Sequence, residues 1–215
     1  SLSQPNALDT PAANGQPCGM LDMRPVGYVI GLTVMALGLA MLLPLAVDLA
    51  EGRGHWFVFA ESAILTILIG GLVALTCKNG VGEGLTIQQT FLVTTGVWVV
   101  LPLFAALPFM LGAGELDFTD AFFEAMSGLT TTGSTVMSGL DGLPKGLLLW
   151  RGLMQWLGGI GIIVVAMVFL PELRVGGMQI FKAEGFDTFG KILPRATEIA
   201  SRISVIYLAM TLLCI

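Results

Sequence analysis

Residues 124–140, "EAMSGLTTTGSTVMSGL", decide how this chain is read. Glu124 is the sole charge in the stretch, apolar runs lie on both sides, and small residues and hydroxyls crowd the middle as "TTTGST". A membrane-crossing helix has little use for that cluster, and a solvated loop ordinarily carries more charge. The stretch therefore needs a setting of its own.

Composition says what that setting is. Of 215 residues, 55% are hydrophobic and 12% charged, with a mean hydropathy of +0.86. Soluble domains carry about 25% charged residues, so this chain is built for lipid. Its net charge of -5 speaks against nucleic acid as a partner, because phosphate binding needs clustered Lys and Arg. Cys18, Cys77 and Cys214 are scattered, without CxxC spacing or partner histidines, and indicate neither a zinc site nor a disulfide framework. The single histidine, His55, sits beside Trp56 and reads as a solvated loop side chain.

Charge-free runs locate the membrane segments. Residues 1–22, rich in Ser, Pro, Asn, Ala and Gly, are expected to form a disordered tail and lack the pattern of a signal peptide. Residues 26–47 are uncharged and, at about 1.5 Å each, cross the roughly 30 Å hydrocarbon core, with Pro44 marking the approach to the end. Residues 56–77 form a second span, with Glu61 placed near the interface and partly hydrated. Residues 85–114 exceed one span, so a helix is expected over 88–111, bent by Pro102 and Pro108, with neighbours satisfying the freed carbonyls. A fourth span is expected over 152–171. Residues 203–215 start another, but 13 residues reach only about 20 Å as helix, so the chain reads as ending inside it.

The Lys and Arg bias orients these spans. With Arg24 in the cytoplasm, Lys78, Arg174, Lys182, Lys191, Arg195 and Arg202 join it, leaving Arg53, Lys145 and Arg151 outside. The N-terminus is therefore expected inside, and residues 115–144 outside, between the third and fourth spans.

That outer segment is too short and too polar to span. Asp117 or Thr119 can cap a helix, Asp120 suits its positive end, and Phe122, Phe123, Met126 and Leu129 follow helical spacing. A helix over 119–129 would be about 16 Å long, half a membrane thickness. A half-membrane helix followed by small polar residues is the pattern of a re-entrant pore loop, since irregular backbone at membrane depth must be buried in protein or line a watery path. The helix end would point its partial negative charge inward, favouring a cation. "TTTGST" would turn backbone carbonyls towards an axis, where they replace an ion's hydration shell, and Gly133 supplies the backbone freedom. An ordinary outer loop with a Thr/Ser-rich tip is the alternative.

"DAFFEAMSGLTTTGSTVMSGLDGLPKGLLLWRGLMQWLGGIGIIVVAMVFLP" followed by "VGGMQIFKAE" closely resembles the TrkH-type potassium uptake permeases of the Trk/Ktr/HKT superfamily, over residues 24–215. The resemblance implies an all-α membrane protein, a polytopic helical bundle with a re-entrant pore loop and a pore architecture of the voltage-gated-channel kind. It implies four membrane–pore-loop–membrane repeats in a complete chain, preceded by a helix pair. Residues 23–84 would be that pair, and 85–171 the first repeat, with pore helix 119–129 and filter 130–134. Residues 172–202 would be a cytoplasmic linker and 203–215 the opening of the second repeat. By the same resemblance Thr131 and Thr132 provide carbonyls that coordinate potassium, Gly133 is the filter glycine, and Thr130 and Ser134 adjoin it. Relatives that favour sodium can carry Ser in place of this glycine, so Gly133 points to potassium. The family implies a bacterial inner membrane location, a cytoplasmic nucleotide-binding regulatory subunit of the TrkA type, and a homodimer. One filter loop of four cannot enclose a pore alone. Channel-like conduction and proton- or sodium-coupled symport both fit this architecture.

Other residues are expected in quieter roles. Arg151 is expected to snorkel to the interface rather than pair with an acid such as Glu124 or Asp141. Trp150 and Trp156 fit interfacial anchoring or bundle packing, and Gly158, Gly159 and Gly161 fit close helix approach. Gln155 faces either a partner helix or the cavity. "VGGMQ" lacks the spacing and lysine of a phosphate loop. A membrane-embedded serine hydrolase would need a base beside its nucleophile, and the only histidine lies at the membrane edge, so no enzyme is expected. A non-conducting scaffold or receptor subunit is the alternative to ion transport, and it leaves the half-helix with its "TTTGST" tip unexplained.

Overall fold

The computed structural model describes residues 22–52, 54–78, 85–112, 116–173 and 192–214. The expected tail, apart from Asp22, the turn at 79–84, and "VGGMQ" with most of the charged linker lie outside the described residues. Among the described residues the secondary structure is helical throughout, and four helices are long and apolar enough to cross a membrane.

The first span runs over Arg24–Glu51 and is broken at Met41 into α1 (Arg24–Ala40) and α2 (Leu42–Glu51). Pro44 has no N–H to offer the carbonyl of Ala40, which places the break one turn upstream of it. The helix does not end near Pro44 but continues past residue 47 to Glu51, where Gly52 closes it in the left-handed conformation at φ 68°. Two acids, Asp48 and Glu51, are thereby drawn into the helix, and both are met by the start of a later helix.

Helix α3 (Trp56–Cys77) returns along α1. A Cβ on Gly31 would stand 2.6 Å from the Ala74 nitrogen, and one on Gly70 would stand 2.7 Å from the Met35 nitrogen. Small residues on both helices therefore let the two backbones approach closely. Glu61 lies exposed on the outer surface of α3.

Helix α4 (Ile87–Ala105) opens with a reciprocal cap: Thr86 Oγ1 accepts from the Gln89 N–H, and Gln89 Oε1 accepts from the Thr86 N–H. It contains Pro102, breaks at Ala106 and resumes as α5 (Leu107–Leu111). At the break the Phe109 N–H bonds Ala106 O, which leaves the carbonyl of Ala105 without its helical donor. The indole N–H of Trp150 donates to that carbonyl at 3.0 Å. Bending near the second proline and rescue of a freed carbonyl by a neighbouring helix thus occur at one place.

Helix α6 (Phe118–Leu129) stands by itself between the third and fourth spans and has 12 residues. A loop and a 3-10 turn (Leu140–Gly142) lead to α7 (Lys145–Leu173), and α8 (Ile192–Cys214) follows. Two expected starts need correction. Helix α7 begins at Lys145 rather than at residue 152, and α8 begins at Ile192 rather than 203, inside the stretch read as linker. The charge-free criterion failed in α7 because both of its early charges have partners on other helices: exposed Lys145, at the helix start, with Glu51, and Arg151, inside the bundle, with Glu124.

The core sits where α2, α3, α5, α6 and α7 meet. Met41, Phe59, Phe109, Ala121, Ala125, Trp150 and Met154 are buried there, with Phe59 and Trp150 edge to face at 6.4 Å. Leu65, Leu68 and Leu72 on α3, and Leu212 and Leu213 on α8, are exposed, as suits helices whose outer solvent is lipid.

Candidate functional site

The short helix α6 is about 18 Å long at 1.5 Å per residue, roughly half the hydrocarbon thickness. Asp117 occupies its N-cap position without a side-chain capping bond, and Asp120 lies in its first turn. The buried face is Ala121, Glu124, Ala125, Gly128 and Leu129, while Phe123 is 43% exposed. Of the expected apolar face of Phe122, Phe123, Met126 and Leu129, only Leu129 is fully buried; Phe122 and Met126 are half-buried and Phe123 is exposed. Small residues are buried because α7 comes very close: a Cβ on Gly158 would overlap the Leu129 carbonyl, and one on Gly128 would stand 3.1 Å from Met154.

At Thr130 the helix ends and the chain doubles back. Thr131 and Gly133 both take left-handed backbone conformations, at φ 58° and φ 76°. For a β-branched residue this is strained; for glycine it is unstrained. The amides fold onto the helix end: Thr131 N–H bonds Gly128 O at 3.0 Å, and the Thr132 and Gly133 N–H groups share Ser127 O at 3.0 and 3.3 Å. Thr130 Oγ1 bonds Met126 O at 2.8 Å and lies 2.8 Å from Thr132 Oγ1. With the donors turned inward, the carbonyl oxygens of Thr131, Thr132 and Gly133 accept no hydrogen bond from the described residues, and all three residues are exposed. The Ser134 carbonyl differs, since Ser127 Oγ donates to it at 2.7 Å. Carbonyls left without donors need water or a cation in front of them. Among the described residues no three His, Cys, Asp or Glu side chains are placed to hold a metal ion. The oxygen donors of the loop are backbone carbonyls and hydroxyls, which suit a hard cation.

Behind the loop lies a polar brace. Glu124 is a buried carboxylate whose Oε1 accepts from Thr135 Oγ1 at 2.5 Å, Val136 N–H at 2.7 Å and Met137 N–H at 3.3 Å. Its Oε2 pairs with Arg151 Nη1, which also donates to Thr135 Oγ1 at 3.1 Å. Arg151 therefore does not snorkel; it reaches 27 positions back along the chain to close the far side of the carboxylate. Gln155 Nε2 stands 3.7 Å from where a Cβ on Gly133 would be, so Gln155 faces this turn.

The five expected filter residues, Thr130 to Ser134, lie together on this turn, with Ser134 distinguished by its occupied carbonyl. Sequence reading missed Ser127 and Thr135 and gave Glu124 only as one candidate partner for Arg151. The available signal was an acid in the middle of a half-membrane helix, which needs a partner. Trp150 is fully buried and packs in the bundle. Trp156 stacks on Tyr207 and donates to Thr211 Oγ1 at 3.1 Å, tying α7 to α8. A Cβ on Gly159 would crowd the Tyr207 hydroxyl, whereas Gly161 has open space beside it. His55 is half-buried in the turn before α3 and borders a small cavity.

Comparison with known proteins supplies the family. Residues 55–215 match the TrkH family model, described as a cation transport protein. The Trk system potassium uptake protein TrkH of Halomonas elongata is 40% identical over 197 residues, which cover 90% of this chain and 41% of that protein. TrkH of Escherichia coli strain K12 is 38% identical over the same shares. Among solved structures, the potassium transporter TrkH from Vibrio parahaemolyticus superimposes with a TM-score of 0.74 at 33% identity, covering 89% of this chain and 38% of that one. The chain thus spans about two fifths of the length of these relatives. With a matching family model over most of its length and a half-helix, loop and return folded as described, this multi-pass membrane chain belongs to the TrkH family of cation transport proteins.

Proposed function

We propose that this chain is the N-terminal part of the ion-conducting subunit of a Trk-type potassium uptake system. The observation that carries the reading is the turn after α6, where Thr131, Thr132 and Gly133 are exposed residues whose carbonyls accept no hydrogen bond from the described residues. These oxygens would take over the hydration shell of a potassium ion in transit, and the helix end behind them would add partial negative charge. Thr130 and Ser134 adjoin the filter and hold its ends: Thr130 by its bond to Met126, Ser134 by its bond from Ser127.

In this reading residues 23–84 are an N-terminal helix pair and residues 85–171 a membrane–pore-loop–membrane repeat. Helix α8 opens the next repeat, and three further loops complete the pathway. The name "potassium uptake protein" borne by relatives at 38–40% identity supports potassium as the substrate. The Lys and Arg bias supports a cytoplasmic N-terminus, and in this reading the membrane is a bacterial inner membrane. The name "Trk system" supports a further component, a cytoplasmic nucleotide-binding subunit of the TrkA type, and the assembly is a homodimer.

Rubidium-86 uptake into proteoliposomes carrying the full-length chain tests this. Uptake that potassium blocks well and sodium blocks poorly is expected. Folded protein that carries no rubidium, with or without the regulatory subunit, would instead favour a non-conducting scaffold.

A further inference from the structure

Asp48, near the end of α2, is 2% exposed, and its Oδ1 accepts the N–H of Gly146 at 2.7 Å across 98 positions of sequence. Gly146 is the second residue of α7, so its N–H is one that no carbonyl of its own helix can satisfy. A carboxylate from another helix thus does what an N-cap residue ordinarily does, at the end of α7 where negative charge is favoured. The neighbouring pair of Lys145 and Glu51 joins the same two helices one turn along α2. The approach depends on Gly146, because a Cβ there would overlap the Asp48 carboxylate. The other oxygen, Oδ2, is buried without a partner and borders a cavity shared with His55, Phe59, Pro108 and Leu147.

From this anchored end, α7 carries two residues that matter further along. Trp150 bonds the broken α4–α5 junction, and Arg151, six residues from the helix start, meets Glu124 and Thr135 behind the filter loop. We propose that Asp48 is a positioning residue for the filter loop. By capping α7 from α2, it fixes where Arg151 stands against Glu124 and Thr135, and so couples the first helix pair to the loop. The coupling is a property of the fold; only its effect on ion selectivity rests on the function proposed above.

The test uses the full-length chain in lipid nanodiscs, read by amide hydrogen exchange, and in proteoliposomes, read by rubidium uptake with potassium and sodium competing. Asp48→Ala is expected to speed exchange about fivefold in the first turns of α7, the factor expected from losing one cap. Exchange is expected to rise at residues 135–137 as well. Asp48→Asn keeps an oxygen for Gly146 and is expected to restore both regions. Gly146→Ala is the opposing control: alanine favours helix, yet its Cβ would displace Asp48, so exchange is expected to rise in both regions. Faster exchange confined to α7, or slower exchange in Gly146→Ala, would overturn the proposal.

In uptake, Asp48→Ala is expected to lower the preference for potassium over sodium, with Asp48→Asn close to wild type. A folded Asp48→Ala protein with unchanged preference would overturn the link to the filter. Absence of rubidium uptake in wild type, beside the expected exchange pattern, would count against the transport reading and leave the coupling standing.

Discussion

Glu124 of α6 and Arg151 of α7 form an ion pair directly behind the proposed filter loop, with side chains 1% and 15% exposed. The carboxylate also receives Thr135, Val136 and Met137, so one acid holds both the neighbouring helix and the segment that returns from the loop. In low dielectric such a pair need not add net stability, but removing one partner strands the other.

The first expected outcome follows from that asymmetry. Glu124→Gln or Arg151→Gln should destabilise the protein by about 3–5 kcal/mol, the usual result of stranding a buried charge. The double variant should lose less than the two single losses added together. Thermal unfolding in detergent of all four proteins checks this, and additive losses would mean the two groups act independently.

Gly158 makes a second case. A Cβ there would overlap the Leu129 carbonyl at the end of the half-helix, whereas one on Gly161 would meet nothing within 4 Å. Gly158→Ala should cost about 1–3 kcal/mol through overpacking. Gly161→Ala should be neutral or mildly stabilising, by up to about 1 kcal/mol, because alanine favours helix. Equal melting temperatures for the two variants would contradict the close contact of α6 and α7.

In the proposed filter, Gly133 has φ 76°. A side chain there costs about 1–2 kcal/mol in the left-handed region, so Gly133→Ser should strain the turn and shift its carbonyls. Potassium should lose its advantage over sodium in competed rubidium uptake, while total protein in the membrane stays near wild type. Unchanged selectivity would remove Gly133 from the filter.

Trp150→Phe tests the break between α4 and α5. The ring still fills the core, but the Ala105 carbonyl loses its indole donor and is left buried. A loss of about 1–3 kcal/mol is expected, read by chemical unfolding; a stability equal to wild type would mean that another donor serves this carbonyl.

The residues that could be read from sequence are those whose signal is local. Pro108 marked a bend because a proline disturbs its own preceding turn, and Gly133 among threonines marked a turn in an otherwise apolar run. Pro44 marked a break too, but one that interrupts the first span rather than ending it. The start of α7 was misplaced for a different reason. Counting uncharged residues assumes that a charge stays out of the helix, yet Arg151 lies within it, paired to buried Glu124, and Lys145 starts it, exposed and paired to Glu51. Those partners lie tens of positions away, as Asp48 lies from Gly146, and no window of sequence connects them. The buried face of α6 was misjudged on similar grounds. Spacing shows that a face exists, but the buried one centres on Ala121, Glu124, Ala125 and Gly128 rather than Phe123, with α7 close against Gly128 and Leu129.

The most direct measurement of the central claim is anomalous X-ray scattering from crystals of the full-length protein grown in rubidium. The account expects an ion peak within coordination distance of the Thr131, Thr132 and Gly133 carbonyl oxygens, reduced by excess potassium and little affected by sodium. Rubidium density elsewhere in the pathway, with none facing these oxygens, would contradict it.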